Sequence, residues 1–376
     1  MQRIRVKLEP RAYDVLLERG LLARSGTVLA RLLGARRRCF VVTVAPVRKL
    51  WGAVLEKSLA AAGLSVEFLE IGDGEPHKRM RTLESLAERM VGLGADRDSA
   101  VLALGGGVVG DVAGFLAAIY MRGIDFVQIP TTLLAQVDAS VGGKTGVNLR
   151  AGKNLAGAFH QPLAVLIDPE VLTTLPEREL RAGLYESMKC GVIGDAKLFQ
   201  FMEKHRVAIL RRDGVALDTV IAASVKLKAK VVGADEREGG VRRNLNFGHT
   251  IGHALEAETG YKVFLHGEAV AWGMIAAARI AQTVGMLPTG EMDRITQTVL
   301  GLGKLPPVLS ATKRIVARLG SDKKARAGKV HFILPTRVGR VEVLAGIPDD
   351  AVTEAVEYVR RISARQISAG KISVKP

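Results

Sequence analysis

The 376-residue sequence contains few cysteines, few aromatic residues and no long apolar segment. Its two cysteines, Cys39 and Cys190, stand far apart and outside any CxxC pattern, which excludes a disulfide framework and a cysteine-ligated zinc site. Apolar runs such as residues 269–278 fall short of the roughly 18–20 residues that cross a bilayer, so we expect no transmembrane helix. Residues 1–9 alternate charged and apolar side chains without the apolar core of a secretory signal, so the expected location is the cytoplasm.

Acidic residues are also scarce relative to basic ones. The 38 acidic residues face 54 lysines and arginines, which gives a net charge of +16. Such an excess is compatible with nucleic acid, an anionic membrane or a small anionic substrate. The basic residues are spread along the chain between acidic ones, and no nucleic-acid-binding signature accompanies them. We therefore expect neither nucleic acid nor a membrane as a partner.

Two kinds of periodicity divide the chain. Short apolar runs rich in β-forming residues lie at residues 39–44, 66–69, 100–104 and 126–129, with helical patterns such as 82–93 between them. This alternation is typical of a parallel α/β sheet. Helical periodicity then dominates residues 177–190, 217–232, 250–257 and 268–283. We predict an α/β domain at residues 1–175, a mainly α-helical domain at 176–364 and a flexible polar tail at 365–376.

A glycine-rich loop follows the predicted strand at residues 100–104. Residues 105–111 read GGGVVGD, which matches G-x-G-x-x-G between a strand and a helix and indicates a dinucleotide site. Asp125 lies at the spacing of the usual ribose ligand. Thr131 and Thr132 end the next predicted strand, where open α/β sheets hold ligands. The alternatives are a structural glycine turn and helix capping by the threonines.

Three of the seven histidines lie within 18 residues. His249 and His253 share one face of a predicted helix, and His266 follows shortly after. Histidine and carboxylate side chains suit Zn²⁺ or Co²⁺, so spacing alone favours His249 and His253 as ligands, completed by His266 or Glu256. Glycines and lysines at residues 138–154 suit an anion.

Several long motifs, taken together, resemble the 3-dehydroquinate synthase family. They are GGGVVGDVAGF, QIPTTLLAQVDASVGGKTGVN, GKNLAGAF, YESMK, ADEREGGVRRNLNFGHTIGHALE and HGEAVAWGM, in unbroken order over about residues 70–335. The resemblance implies an N-terminal Rossmann-like NAD-binding domain and a mainly α-helical C-terminal domain that binds metal and substrate, with the active site in the cleft between them.

The resemblance also implies the site residues. Metal ligands fall on Glu186, His249 and His266, which makes His253 a substrate-side residue and excludes Asp125. NAD contacts fall on Asp73, Gly74, Glu75, Lys78, Gly105, Gly106, Gly107, Val108, Val109, Gly110, Asp111, Thr131, Thr132, Lys144, Lys153, Leu172, Thr173 and Thr174. Substrate contacts fall on Arg122, Asp138, Lys144, Asn154, Lys189, Lys228, Arg242, Asn246, His253 and Lys324, with Arg122 reaching across a homodimer interface. Catalytic roles fall on Lys189, His253, Asn246 and Glu186.

The implied reaction converts 3-deoxy-D-arabino-heptulosonate 7-phosphate into 3-dehydroquinate and phosphate, with bound NAD and one divalent metal, Zn²⁺ or Co²⁺. A sugar acid that carries a phosphate explains a pocket rich in lysine and arginine. Two other enzyme classes fit part of the pattern, namely related sugar-phosphate cyclases and metal- and NAD-dependent polyol dehydrogenases. Arg242, Asn246 and His253 favour dehydroquinate synthase over the other cyclases.

Overall fold

The structure is a computed structural model that describes residues 1–34, 38–325 and 330–371, and the side chains of all of these except 320–325 and 367–371. The chain divides into two compact units. The first comprises Met1–Pro176 and Lys228–Glu236, and the second comprises Glu177–Leu227 and Arg237–Pro376. Residues 228–236, which the sequence analysis assigned to the second domain, therefore group with the first unit.

The described residues form strands and helices of the following extents. The strands are β1 (Gln2–Val6), β2 (Tyr13–Leu17), β3 (Arg38–Val44), β4 (Ser65–Ile71), β5 (Ala100–Gly105), β6 (Asp125–Pro130), β7 (Lys144–Leu149), β8 (Gly152–Phe159), β9 (Ala164–Ile167), β10 (His331–Arg337) and β11 (Arg340–Ala345). The helices are α1 (Ser25–Leu33), α2 (Ala45–Val47), α3 (Ala53–Ala61), α4 (Met80–Gly92), α5 (Gly107–Ile119), α6 (Glu177–Gly194), α7 (Ala196–Lys204), α8 (Arg206–Leu210), α9 (Gly214–Ala234), α10 (His249–Glu258), α11 (His266–Thr283), α12 (Thr289–Gly301), α13 (Thr312–Ala325) and α14 (Asp349–Lys371). Two short 3-10 turns matter below, Pro169–Thr174 and Val241–Asn246.

The first unit is built on a seven-stranded sheet in the order β1-β2-β9-β6-β5-β3-β4. All neighbours pair in parallel except β1 and β2, which pair antiparallel at one edge. Strand β5 is buried along its whole length, because parallel strands in the middle of such a sheet are covered on both faces. The four predicted strands lie within β3, β4, β5 and β6, so the prediction of a parallel α/β sheet is confirmed.

From Lys144 onward, the glycine-rich stretch belongs to an antiparallel hairpin, β7–β8, rather than to a loop. Gly146 and Gly157 face each other across the pair, and a Cβ on Gly157 would lie 2.1 Å from the carbonyl oxygen of Thr145. These glycines are therefore needed for close strand contact. Composition alone does not separate that role from loop flexibility.

The second unit is helical, as predicted, apart from the antiparallel pair β10–β11. Its central helix, α11, is buried along nearly its whole length, as expected for a helix that is apolar on all sides. Helices α6, α10, α12 and α14 pack against it. Helix α14 extends to Lys371 and so includes residues 365–371 of the predicted tail, while residues 372–376 lie outside the described part of the chain.

Within the described ranges, no helix is both long enough and apolar enough to cross a lipid bilayer.

Candidate functional site

Three helices of the second unit bring together three side chains that can ligate a metal. Glu186 on α6, His249 at the start of α10 and His266 at the start of α11 each offer one donor atom, and these atoms all lie within 4.8 Å of one another. Donor atoms around one tetrahedral Zn²⁺ stand roughly 3.4 Å apart, since each bond is about 2.1 Å. Small side-chain adjustments would therefore bring all three onto a single ion.

Close helix contacts explain why these residues meet. Gly267 lies directly after His266, and a Cβ there would lie 2.0 Å from the carbonyl oxygen of Ala182 on α6. Gly273 lies farther along α11, and a Cβ there would lie 1.8 Å from the carbonyl oxygen of Gly248, the residue before His249. Helix α11 thus contacts α6 and α10 backbone to backbone. Only glycine permits that approach.

An ion pair also fixes α11 against α6. Arg178 on α6 donates two hydrogen bonds of 2.7 Å to the carboxylate of Glu268, and Glu268 also accepts a 2.8 Å bond from the backbone N–H of Leu265. Glu268 is buried and Arg178 is half exposed, and the two parallel bonds make this pair stronger than a single-contact ion pair. The pair holds the first turn of α11, and with it His266, against α6.

Glu186 is completely buried and lacks ordinary hydrogen-bond partners. Among the described residues, neither of its carboxylate oxygens accepts a hydrogen bond of normal geometry. The carboxylate forms an ion pair with Lys189 one turn farther along α6, and its Oε1 lies 3.5 Å from Nε2 of His266. Burying a carboxylate with so few hydrogen bonds is costly. The Lys189 charge offsets part of that cost through Oε2, and Oε1 still lacks a hydrogen bond from any described residue, so the residues present fit a divalent metal.

His249 is buried in the form that a metal ligand requires. Burial, with the nearby charge of Lys189 and the neighbouring histidines, holds the pKa of His249 well below its usual range, so the ring is neutral. Its Nδ1 lies 3.1 Å from the carbonyl oxygen of Phe247 and donates to it in the neutral ring. That bond leaves the lone pair of Nε2 available.

His266 lies between two carboxylates. Its Nδ1 is 3.3 Å from Oε2 of buried Glu256, an outer partner of the kind that orients histidine ligands. Burial acts to lower the pKa of His266, but the hydrogen bond to Glu256 and the charge of Glu186 outweigh it, so the pKa is raised. His266 also belongs to a second group with His253 and Glu256, whose donor atoms likewise lie within 4.8 Å of one another. Neither group in the described part of the chain contains both His249 and His253.

The other predicted residues of the second unit surround this group or precede it. The ring of His253 is exposed and lies 5.2 Å from that of His249 and 5.9 Å from that of His266, centroid to centroid. Arg242 is buried and Asn246 half-buried on the 3-10 turn before α10. Asn246 donates to the carboxylate of Glu238, a contact that the sequence did not predict. The side chain of Lys324 lies outside the described residues.

In the first unit, the glycine loop and the two threonines lie side by side. Strand β5 ends at Gly105, and the backbone N–H of Thr131 donates a 2.9 Å bond to the Gly105 carbonyl. A Cβ on Gly106 would lie 3.1 Å from Cγ2 of Thr132. Helix α5 starts at Gly107 and includes Val108, Val109, Gly110 and Asp111. The buried hydroxyl of Thr131 has no hydrogen-bond partner among the described residues, which fits a polar ligand such as a dinucleotide at the start of α5.

Asp125 lies at the wrong end of the sheet for a ribose ligand. It is the first residue of β6 and pairs with Ala100, whereas Gly105 pairs with Pro130 at the other end. A six-residue strand spans roughly 17 Å. The choice of Asp125 by spacing was therefore wrong, since spacing along the chain does not specify which strand end a residue occupies.

A second cluster in the first unit surrounds Lys78. The buried Lys78 ammonium contacts Asp111 and the side-chain oxygen of Asn154. Burial raises the pKa of Asp111, and Glu75 adds to this effect, although Lys78 opposes it. Asn148 donates a 2.5 Å bond to Glu75 and was not among the predicted site residues.

The remaining predicted residues lie on turns and on the hairpin. Leu172, Thr173 and Thr174 form the 3-10 turn that Asp168 caps, and Thr174 accepts a 3.2 Å bond from the indole N–H of Trp51. Lys228 contacts both the carboxylate and the backbone carbonyl of Asp138. Four others occupy exposed or half-exposed positions: Asp73, Gly74, Lys144 and Lys153. Arg122 is exposed on a turn, with a left-handed φ of 71°.

Comparison with known proteins agrees with these observations. The model of the 3-dehydroquinate synthase N-terminal domain matches residues 68–182, and that of the C-terminal domain matches residues 183–325. A curated 3-dehydroquinate synthase of Koribacter versatilis (strain Ellin345) is 52% identical over 363 residues, which cover 96% of this chain and 99% of that protein.

Two solved structures share the fold. ValA, a 2-epi-5-epi-valiolone synthase from Streptomyces hygroscopicus subsp. jinggangensis 5008 with NAD⁺ and Zn²⁺ bound, is 33% identical with a TM-score of 0.84, over 93% of this chain and 97% of that one. A 2-deoxy-scyllo-inosose synthase complexed with carbaglucose-6-phosphate, NAD⁺ and Co²⁺ is 26% identical with a TM-score of 0.86, over 95% and 99%. With both family models matched in order and a close relative aligned over nearly its whole length, the chain belongs to the 3-dehydroquinate synthase family.

Proposed function

We propose that the protein converts 3-deoxy-D-arabino-heptulosonate 7-phosphate into 3-dehydroquinate and phosphate, acting in the cytoplasm as a homodimer with NAD and one divalent metal. One observation supports this more than any other. Buried Glu186 and His249 and half-buried His266 lie beside Lys189 and His253, in a chain that is 52% identical to a curated 3-dehydroquinate synthase.

Glu186, His249 and His266 would hold the metal, Zn²⁺ or Co²⁺. A metal in that place supplies Lewis-acid assistance to the loss of a proton from a substrate hydroxyl. The neutral state of His249 supports the assignment, because a metal ligand must be unprotonated. Glu256 would keep His266 in the orientation that exposes Nε2.

The glycine loop, Thr131 and Thr132 would bind NAD, which accepts a hydride from the substrate and returns it later in the same turnover. The start of α5 at Gly107 favours the pyrophosphate, because the N-terminal N–H groups of a helix bind anions. Lys78 would hold Asp111 in place, and Glu75 would lie beside it.

The reaction as a whole is redox-neutral. The substrate is oxidised at C5, loses phosphate by elimination across C6 and C7, is reduced again at C5, opens its ring and closes it through an intramolecular aldol addition. The substrate's own phosphate would take the C6 proton. We assign to Lys189, His253 and Asn246 the orientation of the substrate and the transfer of protons to its oxygens.

The substrate's phosphate and carboxylate require basic partners. Lys228, Arg242 and Lys324 would bind them, and Arg122 would reach the site of a second copy of the chain. The buried position of Arg242 supports an anionic ligand, because a buried guanidinium gains most from a bidentate anion. Arg122 is exposed, which a side chain that serves a second copy of the chain requires.

A direct assay tests the proposal. Metal-loaded protein with NAD⁺ is expected to release phosphate from 3-deoxy-D-arabino-heptulosonate 7-phosphate, and a chelated sample is expected to release none. Other sugar phosphates serve as the comparison for the related cyclase activities, since ValA is 33% identical to this chain. Release from another sugar phosphate alone would replace the proposed substrate and keep the class of reaction.

A further inference from the structure

Asn148 lies at an irregularity of the β7–β8 hairpin. The pairing register shifts between Val147 and Leu149, and the Asn148 side chain is 5% exposed. A polar side chain buried at such a point needs hydrogen-bond partners, because an unpaired buried amide is costly.

Asn148 makes four hydrogen bonds to residues outside its own strand, one of which is a 3.5 Å bond that its backbone carbonyl oxygen accepts from Arg79. Its Nδ2 donates a 2.5 Å bond to Oε2 of Glu75, and its Oδ1 accepts a 2.8 Å bond from the backbone N–H of Asn154. Its backbone N–H donates a 2.8 Å bond to the carbonyl oxygen of Lys78. Asn154 has a left-handed φ of 54°, so the bond from its N–H stabilises a conformation that a non-glycine residue seldom adopts.

These bonds link two groups of residues with different proposed ligands. Glu75 and Lys78 belong to the proposed cofactor residues, and Asn154 belongs to the proposed substrate residues. The Lys78 ammonium also contacts the Asn154 side chain and Asp111. The Asn148 side chain therefore connects a proposed cofactor residue, Glu75, with a proposed substrate residue, Asn154.

We propose that Asn148 is a positioning residue, which holds Glu75 for the cofactor through Nδ2 and Asn154 for the substrate through Oδ1. This inference deepens the proposed function and rests on it for the identity of the two ligands. Asn148 acts through these residues and touches neither ligand itself.

Two substitutions separate the two halves of the proposal. Asn148→Asp keeps an oxygen to accept from the Asn154 N–H but loses the donor to Glu75 and sets a second carboxylate against it. Asn148→Ala removes both side-chain bonds. Asn148→Asp should therefore weaken NAD⁺ binding about tenfold with little change in the KM for the sugar phosphate, whereas Asn148→Ala should raise both constants about tenfold.

A double substitution tests the Glu75 contact itself. In Glu75→Gln combined with Asn148→Asp, the amide and carboxylate exchange places, so one can again donate to the other. Because Glu75 is itself a proposed cofactor contact, the double variant should bind NAD⁺ more tightly than the combined losses of Glu75→Gln and Asn148→Asp predict. Thr145→Val is the matched control on the same strand, because among the described residues the Thr145 hydroxyl donates to the Ala158 carbonyl of the hairpin and not to the residues around Asn148. The control should keep both constants of the wild type.

The readouts are NAD⁺ affinity by calorimetry, steady-state phosphate release and the thermal midpoint of unfolding. The inference is overturned if Asn148→Asp binds NAD⁺ like the wild type, or if the double variant shows only the combined losses of the two single variants. A change in thermal midpoint without the split between the two constants would also overturn it, since a merely structural role predicts that result. Wild-type protein that binds NAD⁺ but releases no phosphate would refute the proposed function alone, and the affinities would still decide the role of Asn148 at the cofactor.

Discussion

Gly267→Ala should disrupt the metal-binding group by separating two helices. A Cβ at residue 267 would lie 2.0 Å from the Ala182 carbonyl oxygen, whereas ordinary contact begins near 3.4 Å, so α11 must move from α6 by about 1.4 Å. His266 is the neighbour of residue 267, and Glu186 lies one turn after Ala182. Side-chain adjustment must already close donor distances of up to 4.8 Å to roughly 3.4 Å, and metal ligands tolerate errors of roughly 0.2 Å, so a further opening of this size removes one ligand from the group.

The expected loss has two parts. Metal affinity should fall by at least about 100-fold, because loss of a ligand costs more than loss of an outer partner. The free energy of unfolding of the metal-free protein should fall by about 2 kcal/mol, since forcing a methyl group against backbone costs about 1–3 kcal/mol. Chelator competition measures the first quantity and urea unfolding the second.

Gly290→Ala on α12 is the matched control. A Cβ there meets no described atom within 4 Å, so the substitution should leave metal affinity unchanged and stabilise the helix by up to about 1 kcal/mol. The reasoning is refuted if Gly267→Ala binds metal as tightly as the wild type with an unchanged urea midpoint.

Four further substitutions test other residues of the proposed site and of the fold. His249→Ala should lose stoichiometric metal, whereas His253→Ala should keep the metal and lower phosphate release about 100-fold. Metal analysis and the phosphate-release assay check both variants. Loss of metal from His253→Ala would favour the group of His253, Glu256 and His266 as the ligands. Asp168→Ala removes the acceptor of 2.9–3.0 Å bonds from three backbone N–H groups, so the free energy of unfolding should fall by about 3 kcal/mol in urea; a loss below about 1 kcal/mol would contradict this. Arg122→Ala protein, mixed in equal amount with His249→Ala protein and refolded, should recover up to about a quarter of wild-type activity. About half of the dimers are then mixed, and each mixed dimer has one complete site out of two. No recovery would show that Arg122 does not serve a partner's site.

The sequence predicted the parts of the fold that local pattern determines. Strand β5 is a continuous apolar run and α11 is apolar on all sides, so periodicity and length identify both. The hairpin β7–β8 was missed because Gly146 and Gly157 serve close strand contact, which composition does not distinguish from a loop. Asp125 was misassigned because its position depends on strand direction.

The proposed metal-binding group also shows which residues spacing along the chain cannot identify. Spacing named His249 and His266 among the candidates and favoured His253 as the helical partner of His249. It could not select Glu186, which lies 63 residues before His249 and whose donor atom the structure brings close to those of His249 and His266. Only the resemblance to the family pointed to that carboxylate. Neither spacing nor the family resemblance identified Asn148, because its proposed role depends on contacts with Glu75 and Asn154 and not on a motif of its own.

The most direct test of the central claim counts turnovers per cofactor. Metal-loaded protein is mixed with 3-deoxy-D-arabino-heptulosonate 7-phosphate and about tenfold less NAD⁺, and phosphate, NADH absorbance and the carbocyclic product are followed together. Complete conversion to 3-dehydroquinate and phosphate with no net NADH is the expected result, because each hydride returns to the substrate. Phosphate release that stops after one turnover per NAD⁺, or NADH that accumulates with product, would contradict it.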